Sequence, residues 1–348
     1  MIIIITYIIE FNLIYKYNIY TLYILYIVYI IMDYIKSFYT SPPTIHIIID
    51  TSNRKTFKYP NKLNKLIEYP TFYNKDVIKG KLIIELNKNK NLEHQGIIIT
   101  LMGIIENIRD STLSSKFYDE SITLTPPSKL NNEITQLDFT FPSNTAKKYE
   151  TYFGNTIRVH YYLYACIKAS PKVFHTQSEI VILNPYQRVL FDQEDNPPLK
   201  LEIGIENLIH VVLEIQKSNY HLRDVIIGKV VFVDVNIRLI NMEIQIIRKE
   251  NVNCNGSSVN SEYTVMSRYV VMDGTPKKGS VVPIRYYLNG IRCLTPSFVN
   301  VDNKFSVQYY LHIEFLDCEE RRFFKRMEIK LMRLNNMNRK DVCLFKKE

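Results

Sequence analysis

The sequence has no tryptophan, only ten glycines, and none of the short motifs that mark common active sites. P-loops, dinucleotide-binding loops, nucleophile elbows, zinc-protease helices and EF-hand loops each require a fixed pattern of residues, and none of these patterns occurs. The seven histidines are isolated from one another along the chain. We therefore predict that the protein is not an enzyme and carries no cofactor and no metal ion.

Cysteines and charges also lack informative patterns. Five cysteines are scattered without a C-x-x-C pair, which argues against a secreted disulfide framework and against a zinc module. The net charge is +9, but lysine and arginine are dispersed and interleaved with acidic residues. Because nucleic-acid binding needs a basic face rather than a basic total, we expect no nucleic-acid partner, and the composition favours a cytoplasmic globular protein.

Residues 1–31 form a low-complexity leader of isoleucine, tyrosine, leucine and asparagine, with tyrosine at every third position from 17 to 29. Its uncharged run over 17–32 has 16 residues, fewer than the roughly 20 that span a bilayer. Because these residue types have A/T-rich codons, we interpret the leader as a repeat upstream of a true start at Met32. A membrane anchor and a buried helix are the alternatives.

From residue 44 onward the dominant pattern is short apolar runs rich in isoleucine, valine, tyrosine and phenylalanine, separated by turn-forming residues. No stretch after the leader keeps a helical period for long. More than ten such runs without crossover helices predict an all-β protein of antiparallel sandwiches.

One apolar run occurs twice. DVIKGKLIIEL at 76–86 matches DVIIGKVVFVD at 224–234, and VHYYL at 159–163 matches VQYYL at 307–311, both with an offset of 148 residues. A shared offset predicts a duplicated domain. The glycine in each copy of the first run is expected at a β-bulge or where two strands approach closely.

The duplication sets the expected domains. An N-terminal sandwich covers 32–183, a proline-containing acidic linker covers 184–198, a C-terminal sandwich covers 199–334, and a tail covers 335–348. Exposed sheet edges in such sandwiches are templates for extended peptides of a partner. Val271 and Met272 run into the turn signal Asp273-Gly274. They either pack back into the core or form an exposed anchor.

Several segments resemble the vacuolar protein sorting-associated protein 26 family, the arrestin-like subunit of retromer. They are LEHQGI (92–97), YETYFGNTIRV (149–159), GIENLIHVVLEIQKSNYHLRDVIIGKV (204–230), MEIQIIRKE (242–250), VMDGTPKKGSVVPIRYYL (271–288), VDNKFSVQYYL (301–311) and EERRFFKRMEI (319–329). The resemblance implies two tandem arrestin-like (immunoglobulin-like) lobes without enzymatic activity. It also implies a peripheral position on endosomes, in a coat that returns transmembrane cargo to the Golgi or cell surface.

The resemblance further implies partners and sites. The loop at Val271, Met272, Asp273 and Gly274 would bind a large helical-solenoid subunit, which also carries a metallophosphoesterase-like subunit. The cytosolic tails of transmembrane cargo, often with an aromatic-x-Leu or aromatic-x-Met pattern, would bind in a groove shared with a sorting nexin. Membrane contact would be mostly indirect.

By position, that groove would contain the strand with Leu201, Ile203 and Ile205, and Phe324 would form an apolar wall. The alternative is that Ile203 and Phe324 face the core. A rival function also stays open, in which residues 1–31 anchor the sandwiches to a membrane as an adaptor.

Overall fold

The computed structural model describes residues 26–31, 42–52, 54, 56–60, 66–87, 91–142, 149–186, 196–254 and 258–334. The described chain is nearly all β and forms two lobes, as predicted. Residues 26–31 are helical and exposed. None of the helices in the described ranges has the length and hydropathy needed to cross a bilayer. The rest of the leader, the expected start at Met32, most of the linker and the tail beyond 334 lie outside the described residues.

The first lobe contains twelve strands and one short 3-10 helix among the described residues. They are β1 (Thr44–Ile49), β2 (Thr56–Pro60), β3 (Leu66–Tyr73), β4 (Ile78–Glu85), β5 (Leu92–His94), β6 (Ile97–Asn107), the 3-10 turn (Ser111–Leu113), β7 (Ser115–Thr125), β8 (Ser128–Leu130), β9 (Ile134–Phe141), β10 (Tyr152–Phe153), β11 (Ile157–Ala169) and β12 (Lys172–Leu183). One sheet has the order β1-β4-β9, and the facing sheet has the order β2-β3-β12-β11-β6-β7, with β10 paired to β11.

The second lobe contains the remaining ten strands. They are β13 (Leu199–Ile205), β14 (Ile209–Ile215), β15 (Asn219–His221), β16 (Val225–Val235), β17 (Leu239–Cys254), β18 (Ser258–Asp273), β19 (Val281–Tyr287), β20 (Phe298–Val301), β21 (Phe305–Asp317) and β22 (Arg322–Met332). One sheet has the order β13-β14-β16-β19, and the other has the order β15-β22-β21-β17-β18, with β20 paired to β21.

The repeated segments lie on corresponding strands of the two lobes. The first pair forms β4, between β1 and β9, and β16, between β14 and β19. The second pair lies on β11 and β21, which are each paired to a short extra strand. Strands β3 and β15 correspond as well, and both pair in parallel with the strand after the repeat, β12 or β22. These two short parallel pairings depart from the predicted antiparallel sheets.

The first residue of the repeat closes the same turn in both lobes. The carboxylate of Asp76 accepts the Tyr73 N–H at 3.0 Å, and its own N–H donates to the Tyr73 carbonyl at 2.9 Å. Asp224 makes the same two bonds to His221, at 3.1 and 3.0 Å. An aspartate that hydrogen-bonds its neighbouring backbone stabilises a tight turn. The repeated aspartate therefore starts β4 and β16.

The repeated glycine lies where two strands approach closely, which is one of the two alternatives expected from the sequence. A Cβ atom on Gly80 would lie 2.4 Å from the Ile48 carbonyl oxygen, and a Cβ on Gly228 would lie 2.3 Å from the Glu214 carbonyl oxygen. Both obstacles are backbone atoms, so a rotamer change cannot remove the clash.

Gly80→Ala and Gly228→Ala should each lower the free energy of unfolding by about 2 kcal/mol or more, since overpacking against backbone forces the strand to shift. Gly290→Ala is the matched control, because nothing lies within 4 Å of its Cβ position. Urea unfolding of the three variants measures the difference. Equal stability of all three would contradict the close approach.

The two lobes meet at a buried carboxylate. Glu250, on β17, is 1% exposed and accepts hydrogen bonds from three neighbouring residues of the first lobe. The donors are the Tyr152 hydroxyl at 2.7 Å, the Asn155 N–H at 3.1 Å and the Thr156 N–H at 2.9 Å, with the Thr156 hydroxyl also bonded. Arg248, itself buried, forms an ion pair with Glu250 at 3.0 Å. Both oxygens of the Glu250 carboxylate therefore accept hydrogen bonds from the first lobe.

Other contacts surround this cluster. Arg333 pairs with the buried Glu150 of the first lobe at 2.9 Å, and the Tyr149 hydroxyl donates to Asp302 at 2.7 Å. A Cβ on Gly154 would lie 2.7 Å from Glu250 Oε1, so only glycine lets the backbone wrap the carboxylate. The segment 149–156 thus supplies most of the first lobe's side of the interface.

Burial alone would raise the pKa of Glu250, but Arg248 and the hydrogen bonds from Thr156 and Tyr152 outweigh it and hold the pKa below its usual 4.5. A carboxyl with a depressed pKa contributes stability that is fully present above about pH 4.5 and is lost as the pH falls through the lower folded-state pKa.

We expect Glu250→Ala to cost about 3 to 5 kcal/mol, because it removes the carboxylate that pairs with the buried Arg248 and accepts the hydrogen bonds of the first-lobe donors. In the wild type, protonation of the Glu250 carboxyl should lower the free energy of unfolding as the pH falls, and this contribution should be absent from the variant. Glu328→Ala, at an exposed position on β22, is the control. Denaturant unfolding from pH 3 to 7 measures both effects, and a variant as stable as wild type at pH 7 would contradict the role of the cluster.

Candidate binding surfaces of the second lobe

The turn after β18 is held at both ends by backbone hydrogen bonds. The N–H of Gly274 donates to the Ile240 carbonyl at 2.6 Å, and the N–H of Gly279 donates to the Phe232 carbonyl at 2.7 Å. Both glycines have a positive φ, +83° and +80°, which other residues rarely adopt. The turn is therefore fixed against β17 and β16 before any partner binds.

Val271, Met272 and Asp273 are the last residues of β18, and only Gly274 lies in the turn. The two apolar side chains are half-buried and pack against the core, whereas Asp273 is exposed. The sequence left open whether Val271 and Met272 pack into the core or are exposed, and each side chain is in fact partly buried and partly exposed. The role of these residues in binding stays a prediction.

A β-bulge explains the half-exposure of Val271. Met242 pairs with Met272 and Glu243 pairs with Val270, so Val271 is the extra residue of β18. A bulge bends the strand and redirects its side chains. Sequence reasoning missed two neighbours that are exposed, Val270 at 48% and Ile240 at 40%. The apolar character of both was visible in the sequence, but their exposure accompanies two register shifts, the bulge at Val271 and a second irregularity at Ile240 between β17 and β21.

The predicted groove lies at the opposite edge of this lobe. Among the described residues β13 pairs only with β14, so its other edge has no strand neighbour. That edge faces β22, and Lys325 of β22 donates to the Glu202 carbonyl at 2.7 Å. Strand β15 pairs only with the last residues of β22, from Lys330 to Met332. Two free strand edges therefore face each other across the open side of the sandwich.

The three groove residues of β13 face the core, whereas Phe324 faces outward. Ile203 is 5% exposed and faces the core, which is the alternative left open by the sequence, and Leu201 and Ile205 are half-buried against the same core. Phe324 is 57% exposed on the outer face of its sheet. A peptide in the groove could therefore contact the backbone of β13 and the Phe324 ring. The Ile203 side chain packs in the core beneath β13 and is not available for contact.

The end of β18 and the Phe324 wall of the groove belong to one sheet. Val270 pairs with Glu243, Glu243 with Glu314, and Glu314 with Phe324, in a single row across β18, β17, β21 and β22. Three strand spacings of about 4.8 Å separate the ends of this row by about 14 Å. A partner at one edge can leave the other edge accessible.

Two other features of the described residues concern metal binding and cavities. In this part of the chain no three histidine, cysteine, aspartate or glutamate side chains are grouped closely enough to hold a metal ion. A hollow of about 300 Å³ lies at the β13–β14 turn and is lined by residues 204–210 and Asp234. We assign no reaction to it.

Two sandwiches in tandem, joined by a buried polar interface and carrying free strand edges, define a two-lobed arrestin-like β protein. A family model described as vacuolar protein sorting-associated protein 26 matches residues 39–320, most of the chain. The chain belongs to this family.

The relatives include vertebrate and protozoan proteins. Vacuolar protein sorting-associated protein 26B of Mus musculus is 36% identical over 302 residues, which cover 85% of this chain and 86% of the mouse protein. Vacuolar protein sorting-associated protein 26 of Plasmodium falciparum is 35% identical over 300 residues, which cover 86% of this chain and 98% of that protein. The Danio rerio 26B protein is 36% identical over 297 residues, covering 85% and 87%. The family recognised from the sequence segments is confirmed, and its description is that of a protein-sorting family.

Proposed function

We propose that this protein is a non-catalytic subunit of the retromer coat. It would bind the helical-solenoid subunit through the end of β18 and would help to recognise transmembrane cargo for retrograde and recycling transport from endosomes. Family membership supports a role in vacuolar or endosomal protein sorting within a sorting complex. The observation that carries the finer assignment is the half-exposed apolar end of β18 beside a turn that is already fixed.

Fixing the turn lowers the entropic cost of docking, because the loop need not order when the partner binds. Val271 and Met272 are already half-buried, so their complete burial would add only about 2 kcal/mol, below the 3 to 5 kcal/mol for fully exposed side chains. Val270 and Ile240 would therefore have to bury an apolar surface area comparable to that buried by Val271 and Met272. The docking surface thus consists of the strand end and its two exposed apolar neighbours.

Val271→Asp combined with Met272→Asn should abolish capture of the solenoid subunit in a pull-down of the full chain. Both residues touch the core, so we also expect the melting temperature to fall by a few degrees. Val265→Asp is the matched control, because Val265 lies on the same strand and is 49% exposed. Retained capture by the double variant, or equal loss in the control, would count against this docking surface.

We also assign the cargo groove to the facing edges of β13 and β22. A peptide added to a free edge gains main-chain hydrogen bonds, and side-chain pockets supply selectivity. The exposed Phe324 ring is suited to contact an apolar residue of the added peptide. A sorting nexin beside the groove would complete the site.

Phe324→Ser should weaken binding of a peptide with an aromatic-x-Leu pattern at least about fivefold, because an exposed aromatic contact of this size contributes about 1 kcal/mol or more. The fold should be unaffected. Val173→Ser, on the first lobe at 56% exposure, is the control. Fluorescence anisotropy in the presence of a sorting nexin measures the affinities, and unchanged binding by Phe324→Ser would exclude this wall of the groove.

A further inference from the structure

An arginine lies between two aromatic rings on the outer face of the sheet that carries Phe324. The guanidinium carbon of Arg326 is 4.9 Å from the Tyr263 ring centroid and 5.5 Å from the Phe324 ring centroid. Both rings are about half exposed, at 49% and 57%. Arginine between aromatic faces keeps its charge while losing much of its conformational freedom.

A buried histidine fixes the guanidinium further. Arg326 Nε donates to His312 Nδ1 at 3.2 Å, which requires that Nδ1 carries no proton. His312 Nε2 can then donate to Glu314 Oε2, at 3.3 Å. Burial lowers the pKa of His312, and the Arg326 charge lowers it further, although Glu314 opposes the shift. The histidine is therefore neutral at pH 7 and serves as an acceptor for Arg326.

The other outer-face arginines of this sheet have acidic partners, and Arg326 differs from them. Arg322 forms an ion pair with Glu314 at 2.5 Å, and Arg268 forms one with Glu243 at 3.3 Å. Among the described residues no carboxylate lies within ion-pair distance of Arg326. Its Nε is used by His312, which leaves the terminal amino groups for an external acceptor.

Given the proposed cargo groove, on which this step rests, we propose that Arg326 binds a carboxylate of the recognised peptide. Phe324 and Arg326 are two residues apart on one strand, so their side chains lie on the same face about 7 Å apart. An extended peptide repeats with the same period. The recognised segment would therefore carry an acidic residue two positions from the apolar residue that contacts Phe324, and an extended acidic peptide suits a chain of net charge +9.

Three labelled synthetic peptides test the proposal. Each contains one aromatic-x-Leu pattern; one has glutamate two residues before the aromatic residue, one has glutamate two residues after the leucine, and the third has glutamine at both positions. The full chain, bound to its solenoid subunit and supplemented with a sorting nexin, is titrated against each peptide. One glutamate peptide should bind about five- to tenfold more tightly than the glutamine peptide, as a charge-assisted bond at a partly exposed site allows.

Arg326→Gln should remove this preference and leave the affinity for the glutamine peptide unchanged. Arg326→Lys should keep part of it, because lysine retains the charge without the planar donor geometry. Arg285→Gln removes the same charge from an exposed position on β19 in the other sheet and should keep the full preference. The preference should shrink in 0.5 M salt.

Three results would overturn the inference. If both glutamate peptides bind no better than the glutamine peptide, while Phe324→Ser still weakens all three, the groove stands and the role of Arg326 is wrong. If Arg285→Gln removes the preference as completely as Arg326→Gln, only the net charge of the protein matters. If the wild-type complex binds none of the peptides, the cargo groove itself is wrong, and the role of Arg326 is excluded with it.

Discussion

The arrangement of the whole molecule depends on one buried carboxylate. Removing Glu250 from water is costly, and the cost is offset only because Arg248 and several donors of the first lobe surround it. Those donors belong to a single short segment of the chain, so they reach Glu250 together only when the lobes adopt one relative position. A buried polar group that requires several partners at once selects one arrangement more strongly than apolar contacts, which tolerate sliding. Both candidate surfaces of the second lobe therefore have a defined orientation relative to the first.

Much of the fold could be predicted because its determinants are local. Short apolar runs separated by turn-forming residues predicted the all-β fold, and the repeated aspartate and glycine act through a tight turn and a neighbouring strand. Glu250 could not be found in this way, because its partners in the first lobe lie 94 to 98 residues away along the chain. A glutamate within an apolar strand pattern is compatible with an exposed position or with a buried ion pair, and sequence alone does not decide between them.

The sequence predicted where along the chain the candidate site residues lie, but it did not predict whether their side chains face the core or the solvent. Simple alternation fails at β18, where the bulge makes Val271 an extra residue and leaves Val270 exposed. At β13 alternation holds, so Ile203 faces the core while its backbone lies at a free edge. Arg326 gave one usable signal, since it follows Phe324 by two residues and must share its face. Its neighbours Tyr263 and His312 come from other strands, and only strand pairing brings them together.

Free strand edges are a hazard for a β protein, because they pair readily with other chains. At the groove the hazard is limited by charge: Lys200, Glu202 and Lys325 are exposed there, and Lys325 spans the gap to the Glu202 carbonyl. A peptide that enters the groove must displace or accommodate this lysine. A generic apolar strand added here would remove the hydration of these charges without compensation, so the charges disfavour it. The feature that protects the edge from aggregation thus also limits which peptides can be added, while the proposed selectivity for a carboxylate depends on Arg326, on the outer face of β22.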